Sequence, residues 1–270
     1  MDTVTSISVS TLRSALGSPR APLVVDVRKQ AAFDADPTMI ASALRRRHDA
    51  VDEWFAALPQ GREVVVYCVH GHEVSQGAAQ ALAARGVSTR YLAGGIEDWK
   101  AAGGLTVANI ADIGHAGAAA TRWVTRERPK IDRIACPWLV RRFVDPLAVF
   151  DYVPPECVVD AARSTGAVPY DVPGVRFSHR GERCSFDAMI EDFALRDPAL
   201  DVFATIVRGA DTARLDLAPQ AAGLLAVSLG LGRNFTDDAA LLEAAMPVYD
   251  ALYAWCREAR DETHGWNFPS

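Results

Sequence analysis

Short apolar runs alternate with helix-spaced stretches through the first part of the chain, and that alternation predicts a parallel sheet covered by helices on both faces. Leu23–Val27, Val64–Tyr67 and Thr89–Leu92 are rich in β-favouring side chains, as buried strands are. Between them Ala50–Leu58 and Gln76–Arg85 carry helical spacing, with Ala78, Ala79, Leu82 and Ala83 on one face and Gly86 as a natural stop. After Gly103-Gly104 the pattern loosens into an Ala/Gly-rich stretch, read as an interdomain linker over 106–121 with His115 exposed in it and without a chemical role. From Arg122 onward helical spacing dominates. It covers Ile134–Phe143, Phe186–Leu195, Leu200–Gly209, Ala221–Leu231 and Asp238–Arg257, the last with a kink at Pro247. Short strands are expected at Val149–Val153 and Val175–Ser178. The expected architecture is an α/β parallel-sheet domain over 1–105 followed by an α-rich α+β domain over 122–270.

One cysteine stands at a chosen place in this pattern. The run Val64–Tyr67 ends at Cys68, and helical spacing resumes near Val74, so Cys68 lies where a strand feeds a helix N-terminus. Backbone N–H groups and the helix dipole favour an anion there, and the thiolate is the nucleophilic form of a cysteine. The plainer role of a cysteine is that of a small buried hydrophobe. Position after the strand, not within it, favours the reactive role.

Three blocks carry a family resemblance: Leu23-Val24-Val25-Asp26-Val27-Arg28 with Phe33, the Cys68 segment, and Tyr91-Leu92-Ala93-Gly94-Gly95-Ile96-Glu97-Asp98-Trp99 with Gly103-Gly104. In this order and spacing they resemble a rhodanese domain running from about Ile7 to Leu105. The resemblance implies a rhodanese-like fold and a sulfurtransferase. In it Cys68 takes a sulfane sulfur as a persulfide and Val69, His70, Gly71, His72, Glu73, Val74 and Ser75 form the active-site loop, with Asp26 and Arg28 in support. It further implies a small sulfur donor, a thiophilic acceptor and no cofactor for the transfer itself.

The loop departs from common single-domain sulfurtransferases by one extra residue, which resembles the wider anion cradle of rhodanese-like phosphatases and arsenate reductases. Those enzymes grip the oxyanion with an arginine, whereas His72-Glu73-Val74 contains none, and Glu73 repels a dianion. Persulfide chemistry is therefore the first reading, and oxyanion binding at this loop the second. Cys68-x-His70-x-His72 also offers three ligands that could begin a zinc or copper site. In so short a loop the histidines are read mainly as lining groups.

In the second half, Arg128–Trp138, Phe177–Asp187, Ile206–Asp211, Ala221–Leu225 and Val248–Cys256 together resemble the chromate-resistance protein C-terminal-domain family, which implies a role in bacterial chromate resistance. These blocks gather cations. Lys130, Arg133, Arg180 and Arg208 could hold a tetrahedral dianion through forked contacts, although each arginine could equally pair with a nearby carboxylate. A metal ion in this domain is the other reading, with His179, Cys184 and Asp211 as ligands and Cys136 and Asp187 close by. Cys157 and Cys256 are read as core.

Composition narrows the partners. A net charge of −6 and a pI near 5.5 give no general electrostatic support to nucleic-acid binding, and no recognisable helix-turn-helix with a basic recognition helix stands in the chain. No apolar run reaches membrane-spanning length, so no membrane partner is expected. The Met1-Asp2-Thr3-Val4 start lacks a secretory pattern. Five cysteines at scattered spacing do not form a disulfide framework, and the expectation is a reducing, cytoplasmic setting. Two functions follow from the chain as read. One is a sulfurtransferase acting in a chromate-resistance context; the other is an oxyanion or metal sensor that regulates such a system.

Overall fold

A computed structural model of the chain describes residues 4–117, 119–263 and 265. The first half runs β1 (Ser6–Ile7), α1 (Val9–Ala15), β2 (Leu23–Asp26), α2 (Gln30–Ala35), β3 (Met39–Ile40), β4 (Leu44–Arg45), α3 (Val51–Trp54), β5 (Val64–Tyr67), α4 (Glu73–Ala83), β6 (Thr89–Leu92), α5 (Gly95–Ala101) and β7 (Thr106–Val107). Five strands form one parallel sheet in the order β1-β6-β5-β2-β4.

β5 is the central strand, and all of its side chains are fully buried. Its alternation supplies both faces of the sheet. Val65 and Tyr67 join one apolar cluster with Val24, while Val64 and Val66 join another with Leu23, Val25, Ala78 and Leu82 of α4. A strand buried on both sides reads as a near-continuous apolar run, and that run marked it in the sequence.

The second half runs β8 (Arg122–Arg126), α6 (Ile131–Leu139), β9 (Val149–Val153), α7 (Val158–Thr165), β10 (Val168–Pro169), α8 (Ser185–Asp192), α9 (Pro198–Asp211), α10 (Gln220–Asn234) and α11 (Asp238–Ala254). A small parallel sheet, β10-β8-β9, packs with a helical body, an α-rich α+β arrangement as expected. Trp138 of α6 is fully buried, edge-on to Phe143 at 5.6 Å, Phe203 at 4.9 Å and Tyr253 at 5.2 Å. α6 continues through one π-helical turn, Val140–Val144.

Several expectations are corrected. The middle strand of the small sheet is Arg122–Arg126, which the sequence pattern did not single out. Val175–Ser178 is not a strand; Phe177 alone bridges to Tyr170. Cys157 is exposed, not core, at the end of the short helical turn that precedes α7.

The stretch expected to be a loose linker is packed. β7 pairs antiparallel with β3, Ile110 and Ile113 are buried, and Ala108 N–H donates to Phe193 O at 2.9 Å. His115 is 2% exposed, edge-on to Phe193 at 6.2 Å, and neither ring nitrogen has a hydrogen-bond partner. Burial disfavours its charged form and lowers its pKa to about 4, against a weaker opposing pull from Asp145.

The two halves share one apolar cluster that reaches from Ile7, Tyr67 and Trp99 to Trp138, Phe203 and Tyr249. Gly17 belongs to that junction. Its backbone has φ +75°, and a Cβ there would lie 2.8 Å from Tyr253 and 3.0 Å from Phe143. None of the described helices is long and apolar enough to cross a membrane.

Candidate functional site

Cys68 follows β5 directly, and α4 begins at Glu73. The loop proper is therefore Cys68 to His72, and Glu73, Val74 and Ser75, expected as loop residues, form the first turn of the helix. Cys68 is 6% exposed, and its Sγ lies 3.2 Å from Ser75 Oγ. Ser75 Oγ also donates to His72 O at 3.2 Å. Val69 is half-buried, while His70, His72 and Glu73 face solvent. The N–H groups of Val69 to His72 donate to no backbone acceptor among the described residues. The first N–H groups of a helix such as α4 likewise have no partner within the helix.

The loop is held from the side of α5. Ile96 N–H donates to Cys68 O at 3.0 Å and Glu97 N–H to Val69 O at 3.2 Å. That docking explains the Gly94-Gly95 pair. Gly95 has φ +61°, and a Cβ on it would lie 2.4 Å from Val69 O and 2.5 Å from Cys68 O. Asp26 and Arg28 make no hydrogen bond to Cys68. They form a buried ion pair at 2.6 Å at the end of β2, and Arg28 donates onward to Asp36 O and Thr38 O at 2.9 Å each. Their place is the frame beside β5, where Asp26 pairs in register with Tyr67.

In the second half, the expected cation cluster divides. Lys130 and Arg133 line a cavity of about 310 Å³ together with Arg126, Asp132, Asp171, His179 and Asp211. Arg180 instead pairs with Asp192 at 2.8 Å, and Arg208 with Asp187 at 2.8 Å, so neither joins an anion site there. Arg126 and Arg133 hold Asp171 at 2.8 and 3.3 Å. Asp171 has φ +53° and also accepts from Ser185 Oγ at 2.8 Å.

The expected ligand set changes as well. Cys184 is fully buried, and its backbone N–H donates to Asp187 Oδ2 at the start of α8, so it is a helix-capping position rather than a ligand. Burial pushes the thiols of Cys136 and Cys184 well up. Among the described residues the side chains that converge to ligand distance are Asp132, His179 and Asp211, and Cys68, His70 and His72 do not converge. His179 Nε2 lies 3.2 Å from Asp211 Oδ2, 3.5 Å from Asp132 Oδ2 and 3.6 Å from Asp171 Oδ1. The hydrogen bond to Asp132 raises His179 to about 9. Burial beside Asp132 and Asp171 raises Asp211 to about 7. Asp132, Asp171 and Arg126 were missed as site residues. Asp132 does stand inside the Arg128–Trp138 block, but nothing local marks Asp171.

Residues 8–102, a parallel sheet with a cysteine in the loop between its central strand and the next helix, match the Rhodanese-like domain family. Residues 123–256 match the family described as ChrB, C-terminal domain. The chain is thus a rhodanese-like domain, of the sulfurtransferase superfamily, joined to a ChrB C-terminal domain. Protein ChrB of Cupriavidus metallidurans is 34% identical over 135 residues, which are 49% of this chain and 40% of that protein. A rhodanese-related protein of Thermoplasma volcanium is 25% identical with a TM-score of 0.34, covering 38% of this chain and 97% of that one. The thiosulfate sulfurtransferase of Pseudomonas aeruginosa is 24% identical with a TM-score of 0.34, covering 38% of this chain and 19% of that one.

Proposed function

We propose that the first domain is a rhodanese-type sulfurtransferase that carries sulfur as a Cys68 persulfide, in the chromate-resistance context that its pairing with a ChrB C-terminal domain supports. The Cys68 thiolate attacks the outer sulfur of a donor such as thiosulfate. The donor's S–S bond breaks, sulfite leaves with the electron pair, and Cys68 holds the persulfide. A thiophilic acceptor then attacks the terminal sulfur and returns the thiolate. No cofactor enters either step.

The observation that carries this reading is the position of Cys68, at the mouth of a loop whose N–H groups lack backbone acceptors. Intact mass spectrometry of the full chain after mixing with thiosulfate tests it. The expected result is a gain of one sulfur, mapped to Cys68 and absent from Cys68→Ser. A wild-type chain that gains none, or gains it elsewhere, overturns the reading.

A second reading, oxyanion sensing, is favoured by one observation. Lys130, without a carboxylate partner among the described residues, lines one cavity of the second domain with Arg126 and Arg133, both held on Asp171, and with His179. Calorimetric titration of the full chain with chromate and sulfate tests it, and saturable binding lost in Lys130→Ala supports it. Neither reading calls for a membrane or a nucleic acid as partner.

A further inference from the structure

We propose that Asp132, His179 and Asp211 form a binding site for one divalent first-row transition-metal ion, of the class from Mn²⁺ to Zn²⁺. The site does not involve Cys68, and it lies in the cavity that Arg126, Lys130 and Arg133 also line.

The geometry suits coordination. For bonds of about 2.0–2.2 Å, adjacent ligand atoms stand roughly 2.8–3.6 Å apart in tetrahedral or octahedral arrangements. His179 Nε2 lies 3.2 Å from Asp211 Oδ2 and 3.5 Å from Asp132 Oδ2, within that span. The three residues come from separate elements. Asp132 lies in the first turn of α6, Asp211 ends α9 and His179 sits in the segment before α8.

The charge pattern also calls for a cation. Asp132 is 1% exposed, lines the cavity, and its Oδ1 has no hydrogen-bond partner. A buried carboxylate oxygen without a partner is costly. Among the described residues, neither Asp132 nor Asp211 has a lysine or arginine partner; their cationic neighbour is His179. A charged imidazole does not resolve this by itself. Its one Nε2–H serves one acceptor well, yet three carboxylates stand within 3.2–3.6 Å of it. Asp171 is already satisfied by Arg126, Arg133 and Ser185.

The outer contacts orient the proposed ligands. Asp132 N–H donates to Asp211 Oδ1 at 3.2 Å, and Ser185 N–H donates to Asp132 Oδ2. One imidazole with two carboxylates favours a borderline ion over Mg²⁺ or Ca²⁺, and no thiol converges on the point to select a soft one. Three protein ligands leave coordination positions open toward the cavity.

The test uses the full chain, stripped with a chelator, dialysed, and titrated calorimetrically with Mn²⁺ and with Zn²⁺. Loss of the free Mn²⁺ paramagnetic resonance signal gives a second readout. The expected result is one ion per chain, a rise in Tm on loading, and binding weakened about a hundredfold or more in Asp211→Asn and in His179→Gln. Asp211 is the safer position to change because it is partly exposed, and circular dichroism establishes that each variant is folded. A wild-type chain that binds neither ion overturns the proposal. So does binding of unchanged stoichiometry and affinity in both folded variants, which would place the ion elsewhere.

Discussion

Cys68 Sγ and Ser75 Oγ lie 3.2 Å apart across the loop that joins β5 to α4, with Ser75 wholly buried in the first turn of the helix. The hydroxyl can donate to a sulfur anion, or accept from the thiol while donating to His72 O. Ser75→Ala is expected to leave the fold intact and to slow sulfur transfer about five- to tenfold, the effect of losing roughly 1 kcal/mol of hydrogen bonding. Cys68→Ser is expected to abolish transfer. Steady-state rates with thiosulfate and cyanide, together with circular dichroism, decide both.

Aryl phosphates are expected to be hydrolysed negligibly beside the sulfur-transfer rate. Residues 69–75 contain neither arginine nor lysine to hold the charge of a transferring phosphoryl group. Val74→Arg supplies that charge and is expected to raise the phosphatase rate above the wild-type background. A wild-type phosphatase rate comparable with sulfur transfer would refute the reading of the loop.

Gly95→Ala is expected to destabilise the chain by about 1–3 kcal/mol, because φ +61° strains an L side chain and the new methyl meets the Cys68 and Val69 carbonyls. Urea unfolding measures it. Gly61→Ala is the control for strain alone, since it has φ +74° with nothing within 4 Å of a Cβ.

His115 gives stability a pH dependence. Its folded pKa is lowered to about 4 from 6.5, so the unfolded chain binds the extra proton between those values. This contribution is fully present above about pH 6.5 and is lost as pH falls toward 4, by up to about 1.4 kcal/mol per pH unit. His115→Phe removes the titrating group and two buried unpaired nitrogens. Unfolding free energies at pH 5 and 7.5 should differ less in the variant than in the wild type.

Asp26→Asn is expected to cost about 3–5 kcal/mol, since it leaves the Arg28 guanidinium, 2% exposed, with a neutral neighbour in place of its counter-ion. Chemical denaturation checks the loss.

The strands β2, β5, β6 and β9 and the place of the thiol were legible in the sequence because their signals are local. A strand buried on both faces reads as a near-continuous apolar run, as Val64–Tyr67 does, and the place of Cys68 is marked by the strand before it and the helix after it. Helical spacing likewise located α8 to α11, whose apolar faces repeat along the chain itself.

The second site was legible only in part. His179, Asp211, Lys130 and Arg133 stood out as chemistry-bearing residues and do meet at one cavity. Cys184, Arg180 and Arg208 stood out equally, yet they turn to a helix cap and to Asp192 and Asp187. Charged side chains reach several ångströms, and which partner each finds depends on elements far apart in sequence.

By itself the sequence determined the parallel-sheet domain, the helix-rich second half and the placement of Cys68 after a strand, since periodicity and strand–loop–helix order are properties of neighbouring residues. Tertiary structure decided what depends on distance through space. It packed the stretch around Ile110 and His115 against the second half, merged the two halves in one apolar cluster, and brought Asp132 from α6 to Asp211 from α9 around His179. No local pattern encodes such meetings, because each is settled by how whole faces of sheet and helix bury their apolar area against one another.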